Sequence, residues 1–213
     1  MKNRRGITWI VLGNLLLASA LGLGIFNLWE NGRAGQSVNT IENEIWAEIP
    51  ETQKATARPV LGEEELMSGE YEIPDYVLNP DMDMPAREIE GDKYIGILEI
   101  PTLSLSLPVA SQLSYPALRK SPCRYDGTAY KGNFIISAHN YQSHFGNLKS
   151  LNEGDEVLFT DMDGNVFQYT VAALEVIMPE DIDGMKSGDW DLTMFTCTYG
   201  GQQRVTVRCK VVD

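Results

Sequence analysis

The longest uninterrupted apolar stretch covers residues 7–29, broken only mildly by Thr8, Asn14, Ser19 and Asn27. Its 23 residues are enough to cross a bilayer as one helix. Further on the pattern shortens and alternates. Residues 94–100 and 103–109 read as strands, with Pro101 at the break between them. Residues 115–120 read as a helical turn and 132–139 as a short buried strand. Residues 154–159 follow, then a polar turn over 161–165 and a long alternating strand over 166–177. Two last strands, 192–197 and 205–211, flank a connection that contains Gly200-Gly201. About eight strands with few helices predict a mostly β domain, and a closed barrel accommodates that number.

Between the apolar run and the strands the pattern weakens. Val38, Ile41, Ile45 and Trp46 have helical spacing and predict a short amphipathic helix. From residue 48 to 90 there are prolines, the acidic run Glu63-Glu64-Glu65 and little periodicity, which is linker composition. The expected organisation is a basic tail and membrane anchor over 1–29, an acidic stem over 30–91 and a folded domain over 92–213.

Charge sharpens this division. The net charge is -13, and it is uneven. Residues 1–29 hold Lys2, Arg4 and Arg5 and no acid, whereas 30–90 hold 15 acids against 4 bases. The basic flank predicts a cytoplasmic N-terminus with the remainder outside the membrane, and Trp9 and Trp29 suit the two interfaces. A cleaved signal peptide is the competing reading, because Ala18-Ser19-Ala20 is similar to a cleavage site. Both readings export the domain. The acidity removes electrostatic support for a nucleic-acid partner.

Three cysteines give no disulfide framework, and neither CxxC pairs nor His-rich clusters are present, so no metal or cofactor is expected. The Asp161-x-Asp163-Gly164 stretch lacks the rest of a calcium loop and reads as a hairpin turn. Cys209 alternates in phase with Val205, Val207 and Val211, as a core residue would. Cys123 lies in a loop-like Ser-Pro-Cys-Arg stretch and receives no role.

Cys197 is different. It ends a strand, and Arg204 begins the next one just across the turn. A nearby guanidinium favours the thiolate, the reactive form of cysteine, and can stabilise oxyanion charge during acyl transfer. His139, at the end of the 132–139 strand, is the candidate proton carrier. The other histidine, His144, sits in a polar loop and is assigned a structural or rim role. Arg208 shares a strand face with Arg204 but stands roughly 13 Å further along. With ordinary pKa values for Cys and His, only about 1% of molecules would hold thiolate and imidazolium together at pH 7.

Thr193-Met194-Phe195-Thr196-Cys197 resembles the TLxTC motif of sortases, the membrane-anchored cysteine transpeptidases of Gram-positive bacteria. Ala138-His139-Asn140, followed by Phe145-Gly146-Asn147-Leu148, is similar to the family's histidine motif, and Arg204 stands where its arginine opens the last strand. Met194 replaces the usual Leu, a volume-conserving swap. The resemblance implies an eight-stranded barrel with His139, Cys197 and Arg204 as catalytic residues. It also implies cleavage of an LPxTG-type sorting signal and transfer to a cell-wall or pilin amine. Pilin-building members carry an aspartate-aromatic lid, of which Asp75-Tyr76 is a faint echo; a plain linker is the expectation here. A hydrolytic cysteine protease and a non-enzymatic anchored β-barrel are the alternatives. The first would use water in place of an amine, and the second would bury Cys197.

Overall fold

The computed structural model describes residues 3–49 and 74–212, with side chains from residue 7. The Glu63-Glu64-Glu65 run and most of the expected linker lie outside the described residues.

The chain opens with one helix, α1 (Asn3–Glu48), of 46 residues. Its first part is exposed and apolar enough to cross a membrane. Its last part is not a separate short helix: it continues the same axis and packs on the barrel. Ala34, Val38, Ile41, Ile45 and Ile49 recur every three or four residues and are all buried. Ile41, Ile45 and Ile49 pack with Ile89, Tyr94, Ile97 and Ala110. Spacing alone marks an apolar stripe, but only the fold supplies the surface that covers it.

A helical turn, α2 (Asp75–Leu78), follows. Nine strands come next: β1 (Arg87–Ile89), β2 (Asp92–Ile100), β3 (Leu105–Ala110), β4 (Cys123–Asp126), β5 (Phe134–Ala138), β6 (Glu156–Asp161), β7 (Val166–Ile177), β8 (Leu192–Cys197) and β9 (Arg204–Val211). Two short α-helices, α3 (Tyr115–Leu118) and α4 (Ile182–Lys186), and three 3₁₀ turns, Pro101–Leu103, Ala129–Lys131 and Leu148–Ser150, interrupt them. The sheet order is β1-β2-β3-β4-β5-β8-β9-β7-β6, and β6 pairs back onto β2. Eight strands therefore close a barrel and β1 extends it at one edge. β2 carries a bulge between Tyr94 and Gly96, and where β6 pairs onto it Gly96 has a φ of 152°; a Cβ there would collide with the Thr160 carbonyl of β6.

The barrel interior is apolar. Leu98, Val109, Phe134, Ile136, Phe159, Val171, Met194 and Val207 belong to one cluster. Cys209 joins it, as its phase predicts, and burial pushes its thiol up to about 12. Cys123 differs from its loop-like reading. It is a buried residue of β4, with its thiol also pushed up to about 12 by burial. The Ser-Pro before it hid a strand only four residues long. At the 161–165 turn, the buried Asp161 carboxylate accepts from the Asp163 and Asn165 backbone amides and from the Tyr130 hydroxyl. That is a capped hairpin.

Tyr76 of α2 stacks on Tyr130 with ring centroids 4.6 Å apart and leans on Phe167. Phe167 lies ten residues along β7 from Ile177, the partner of Arg204, or roughly 33 Å of strand. The Asp75-Tyr76 pair is thus at the far end of the barrel from Cys197.

If α1 is part of the fold, Ile41→Ala should lower the unfolding free energy of the full chain by about 2–5 kcal/mol. Denaturant titration measures this. A change within about 0.5 kcal/mol, as for an exposed position, would contradict the packing described.

Candidate active site

Three adjacent strands supply the site. β5 runs parallel to β8, with Ala138 opposite Thr196. β8 runs antiparallel to β9, with Cys197 opposite Arg204. Side chains alternate across a strand, so parity assigns each one a face. Phe134, Ile136 and Ala138 point into the barrel, as do Met194, Val207 and Cys209. Ile135, Ser137 and His139 then face outward, beside Thr193, Phe195 and Cys197, beside Arg204, Thr206 and Arg208. His139, Cys197 and Arg204 form a row at the end of this outward face. They line one cleft of about 280 Å³, together with Ser137, Phe195 and Met185.

Hydrogen bonds hold the row in register. Thr196 Oγ1 donates to the Ala138 carbonyl at 2.9 Å, fastening the end of β8 to the residue before His139. The turn over residues 198–203 is closed by Thr198 N donating to the Gln203 carbonyl at 2.9 Å and Gln203 N donating to Thr198 Oγ1 at 3.1 Å. Gly200 and Gly201 have φ of 91° and 76°, the left-handed region glycine favours. Arg204 Nη1 donates to the Gly201 and Gln203 carbonyls at 3.1 and 3.2 Å. No carboxylate pairs with Arg204 among the described residues, so the guanidinium keeps donors for a bound group.

Cys197 is partly exposed, unlike the two buried cysteines. A thiol destined only for the core would not lie open on a cleft. His139 is half-buried, and its ring lies 5.0 Å from that of Tyr141. Burial holds its pKa below the ordinary 6.5, Arg119 lowers it further, and Glu30 of α1 opposes both. Sequence reasoning missed Arg119 and Glu30 because nothing local links them to residue 139. It also missed α4, whose Met185 and Ile182 wall the cleft.

His144 has the structural role of the two expected for it, not the rim role. It is fully buried beneath Tyr141, and burial, aided by His139, pushes its pKa down to about 4. It is a neutral core residue at pH 7. The polar letters around it conceal the covering supplied by the loop itself, which α1 holds through Asn31.

Arg208 shares the outward face with Arg204, as strand parity predicts, but it is 2% exposed and buried under α4. Its guanidinium donates to the Met185 and Gly184 carbonyls at 2.8 and 2.7 Å, to Thr193 Oγ1 at 3.0 Å and to Glu175 at 3.2 Å. Arg208 thus ties the wall of the cleft to the barrel.

Two outcomes follow from this geometry. Arg208→Ala leaves two carbonyls and a hydroxyl without their donor, and should cost about 2–4 kcal/mol of stability, measured by thermal or denaturant unfolding. Arg204→Ala removes only bonds to a turn and should cost less than about 1 kcal/mol. For His139, the NMR midpoint should lie below 6.5. Removing the cation in Arg119→Ala should raise the midpoint, and removing the anion in Glu30→Gln should lower it.

Comparison with known proteins agrees with the fold and the motifs. The Sortase domain family model matches residues 98–212, just over half of the chain. Among curated protein sequences none matches. Of the solved structures, sortase C of Streptococcus pneumoniae is similar at a TM-score of 0.55 and 20% identity, over 82% of this chain and 95% of that one. A Clostridium perfringens sortase D5 transpeptidase gives 0.54 and 23%, over 82% and 99%. Clostridium perfringens sortase C, determined with the C-terminal cell wall sorting motif, gives 0.51 and 23%, over 86% and 90%. With the barrel closed as described and the family model spanning β2 to β9, the chain belongs to the sortase family of cysteine transpeptidases.

Proposed function

We propose that this chain is a membrane-anchored transpeptidase that cleaves an LPxTG-type sorting signal between Thr and Gly. In this reading the Cys197 thiolate attacks the Thr carbonyl carbon, and Arg204 stabilises the resulting oxyanion or holds the peptide backbone. His139, as imidazolium, gives its proton to the departing Gly amine, leaving a thioester on Cys197. An incoming primary amine from a cell-wall peptide or pilin lysine then attacks the thioester. His139 takes up its proton, and the new amide releases the thiolate. No cofactor or metal enters the scheme.

The observation that carries this reading is the row of His139, Cys197 and Arg204 at one end of three hydrogen-bonded strands, open to a single cleft. The lowered pKa of His139 bears on rate: most molecules hold neutral imidazole at pH 7, so only a minor, correctly protonated fraction starts the reaction. Support for a sorting-signal substrate comes from a similar fold, that of Clostridium perfringens sortase C, determined with such a motif. The proposed topology places residues 1–6 in the cytoplasm, 7–29 across the membrane and the barrel outside. It rests on the basic flank and the exposed apolar half of α1. The proposed division is an anchor over 1–29, an acidic stem over 30–91 and a catalytic domain over 92–213, with the 30–49 part of the stem docked on that domain.

The test is incubation of the full chain with a library of sorting peptides, with and without an amine acceptor, read by mass spectrometry. A thioester on Cys197 and an amide product that requires the acceptor are expected. Cys197→Ala should abolish both, and Arg204→Ala should slow turnover by on the order of 10²–10³. Products of hydrolysis alone, unchanged by any amine, would point to a protease and overturn the reading.

A further inference from the structure

A second cleft, of about 520 Å³, lies beside the first. It is lined by Gly24, Phe26 and Leu28 of α1, by Arg119 and Tyr141, and by Tyr199 of the β8–β9 turn. Gly24, Phe26 and Leu28 belong to the last turns of the apolar run, whose end at residue 29 is only about 8 Å further along the helix axis. The tip of the turn that follows Cys197 therefore lies alongside the membrane span, not above it.

This juxtaposition is held firmly. α1 is one continuous helix, so its apolar half cannot pivot freely on the half that is packed. The packed half is buried at Ala34, Val38, Ile41, Ile45 and Ile49. At the exit point Gln142 N donates to Asn31 Oδ1 at 2.9 Å, and the Tyr141 hydroxyl meets the Glu30 carboxylate at 3.4 Å. Helix, histidine loop and barrel are thus bonded together where the apolar run ends.

Tyr199 is 98% exposed, with two glycines after it and no charge within the turn. An aromatic ring so bare costs free energy in water, but at the boundary of a bilayer both its apolar ring and its hydroxyl are accommodated. The Arg119 guanidinium, exposed on the same cleft, makes no hydrogen bond or ion pair among the described residues. The acid nearest to it on the cleft, Glu30, is paired with Arg33 at 3.2 Å. Arg119 is thus available to lipid phosphate.

We propose that the β8–β9 turn is a second membrane contact, with Tyr199 seated in the headgroup region of the outer leaflet and Arg119 facing lipid phosphates beside it. The partner is a phospholipid surface. The contact would fix Cys197, two residues before Tyr199, at the bilayer surface. The proposal rests on the reading of residues 7–29 as a membrane span.

The test uses the full chain in phosphatidylcholine–phosphatidylglycerol vesicles whose acyl chains are brominated near the headgroup. Tryptophan emission is compared between the unsubstituted chain, Tyr199→Trp and Leu78→Trp. Leu78 is exposed on α2, at the far end of the barrel. The emission added by Tyr199→Trp should be blue-shifted, lost on bromination and shielded from aqueous iodide. That added by Leu78→Trp should be quenched by iodide alone. The proposal is overturned if the emission added at 199 is reached by iodide and spared by brominated lipid while Trp9 and Trp29 are quenched. It is equally overturned if positions 78 and 199 respond alike. If Trp9 and Trp29 are themselves untouched by brominated lipid, the membrane span fails and this contact fails with it.

Discussion

The parallel pairing of β5 with β8 is the constraint on which the site depends. Those strands are separated in sequence by the whole of β6 and β7, and nothing local brings them together. Once Ala138 stands opposite Thr196, strand parity forces His139 and Cys197 onto the same outward face. A slip of one residue would turn either side chain into the barrel and bury it. The bond from Thr196 to the Ala138 carbonyl holds the register at the strand ends, where fraying is otherwise easiest. The antiparallel partner β9 adds Arg204 by the same logic, with a glycine-containing turn short enough to leave no slack.

The outward face that carries this row has two environments. Near the turn it opens to the cleft, and Cys197 and Arg204 remain partly exposed. Four residues along β9 the same face is roofed by α4, and Arg208 becomes a buried guanidinium compensated by carbonyls and one carboxylate. Two arginines of one strand face are thus separated by covering, not by orientation. A buried charge must be fully bonded, so Arg208 is committed to structure, whereas Arg204 keeps free donors. The roof held by Arg208 is also the wall of the cleft, through Met185.

The electrostatics of His139 come from outside its own strand. Burial lowers its pKa, and the two charges that modulate it arrive from α3's C-terminal side and from α1. The helix that carries the apolar run therefore also acts on His139. Its Asn31 and Glu30 bond the loop that follows His139, and its buried isoleucines cover one face of the barrel. The helix, the barrel and the loop after His139 are mechanically continuous.

Much of this was legible in the letters. Alternation gave most of the barrel strands, because a strand with one face in an apolar core must alternate. Phase placed Cys209 inside, and the Cys197-to-Arg204 spacing gave a hairpin with both groups near its turn. The apolar run over 7–29 and its basic flank were plain from composition. The tertiary structure alone decided the rest. Strands β1 and β4 are three and four residues long, too short for a period to register. The covering of a polar loop made His144 a core residue, and the roof of α4 did the same for Arg208. The helical spacing of Val38, Ile41, Ile45 and Trp46 showed an apolar face, but the partner surface comes from β1, β2 and β3. Periodicity reports which side of an element is apolar; which distant element covers that side, and hence which charged groups meet, depends on long-range packing that no local pattern encodes.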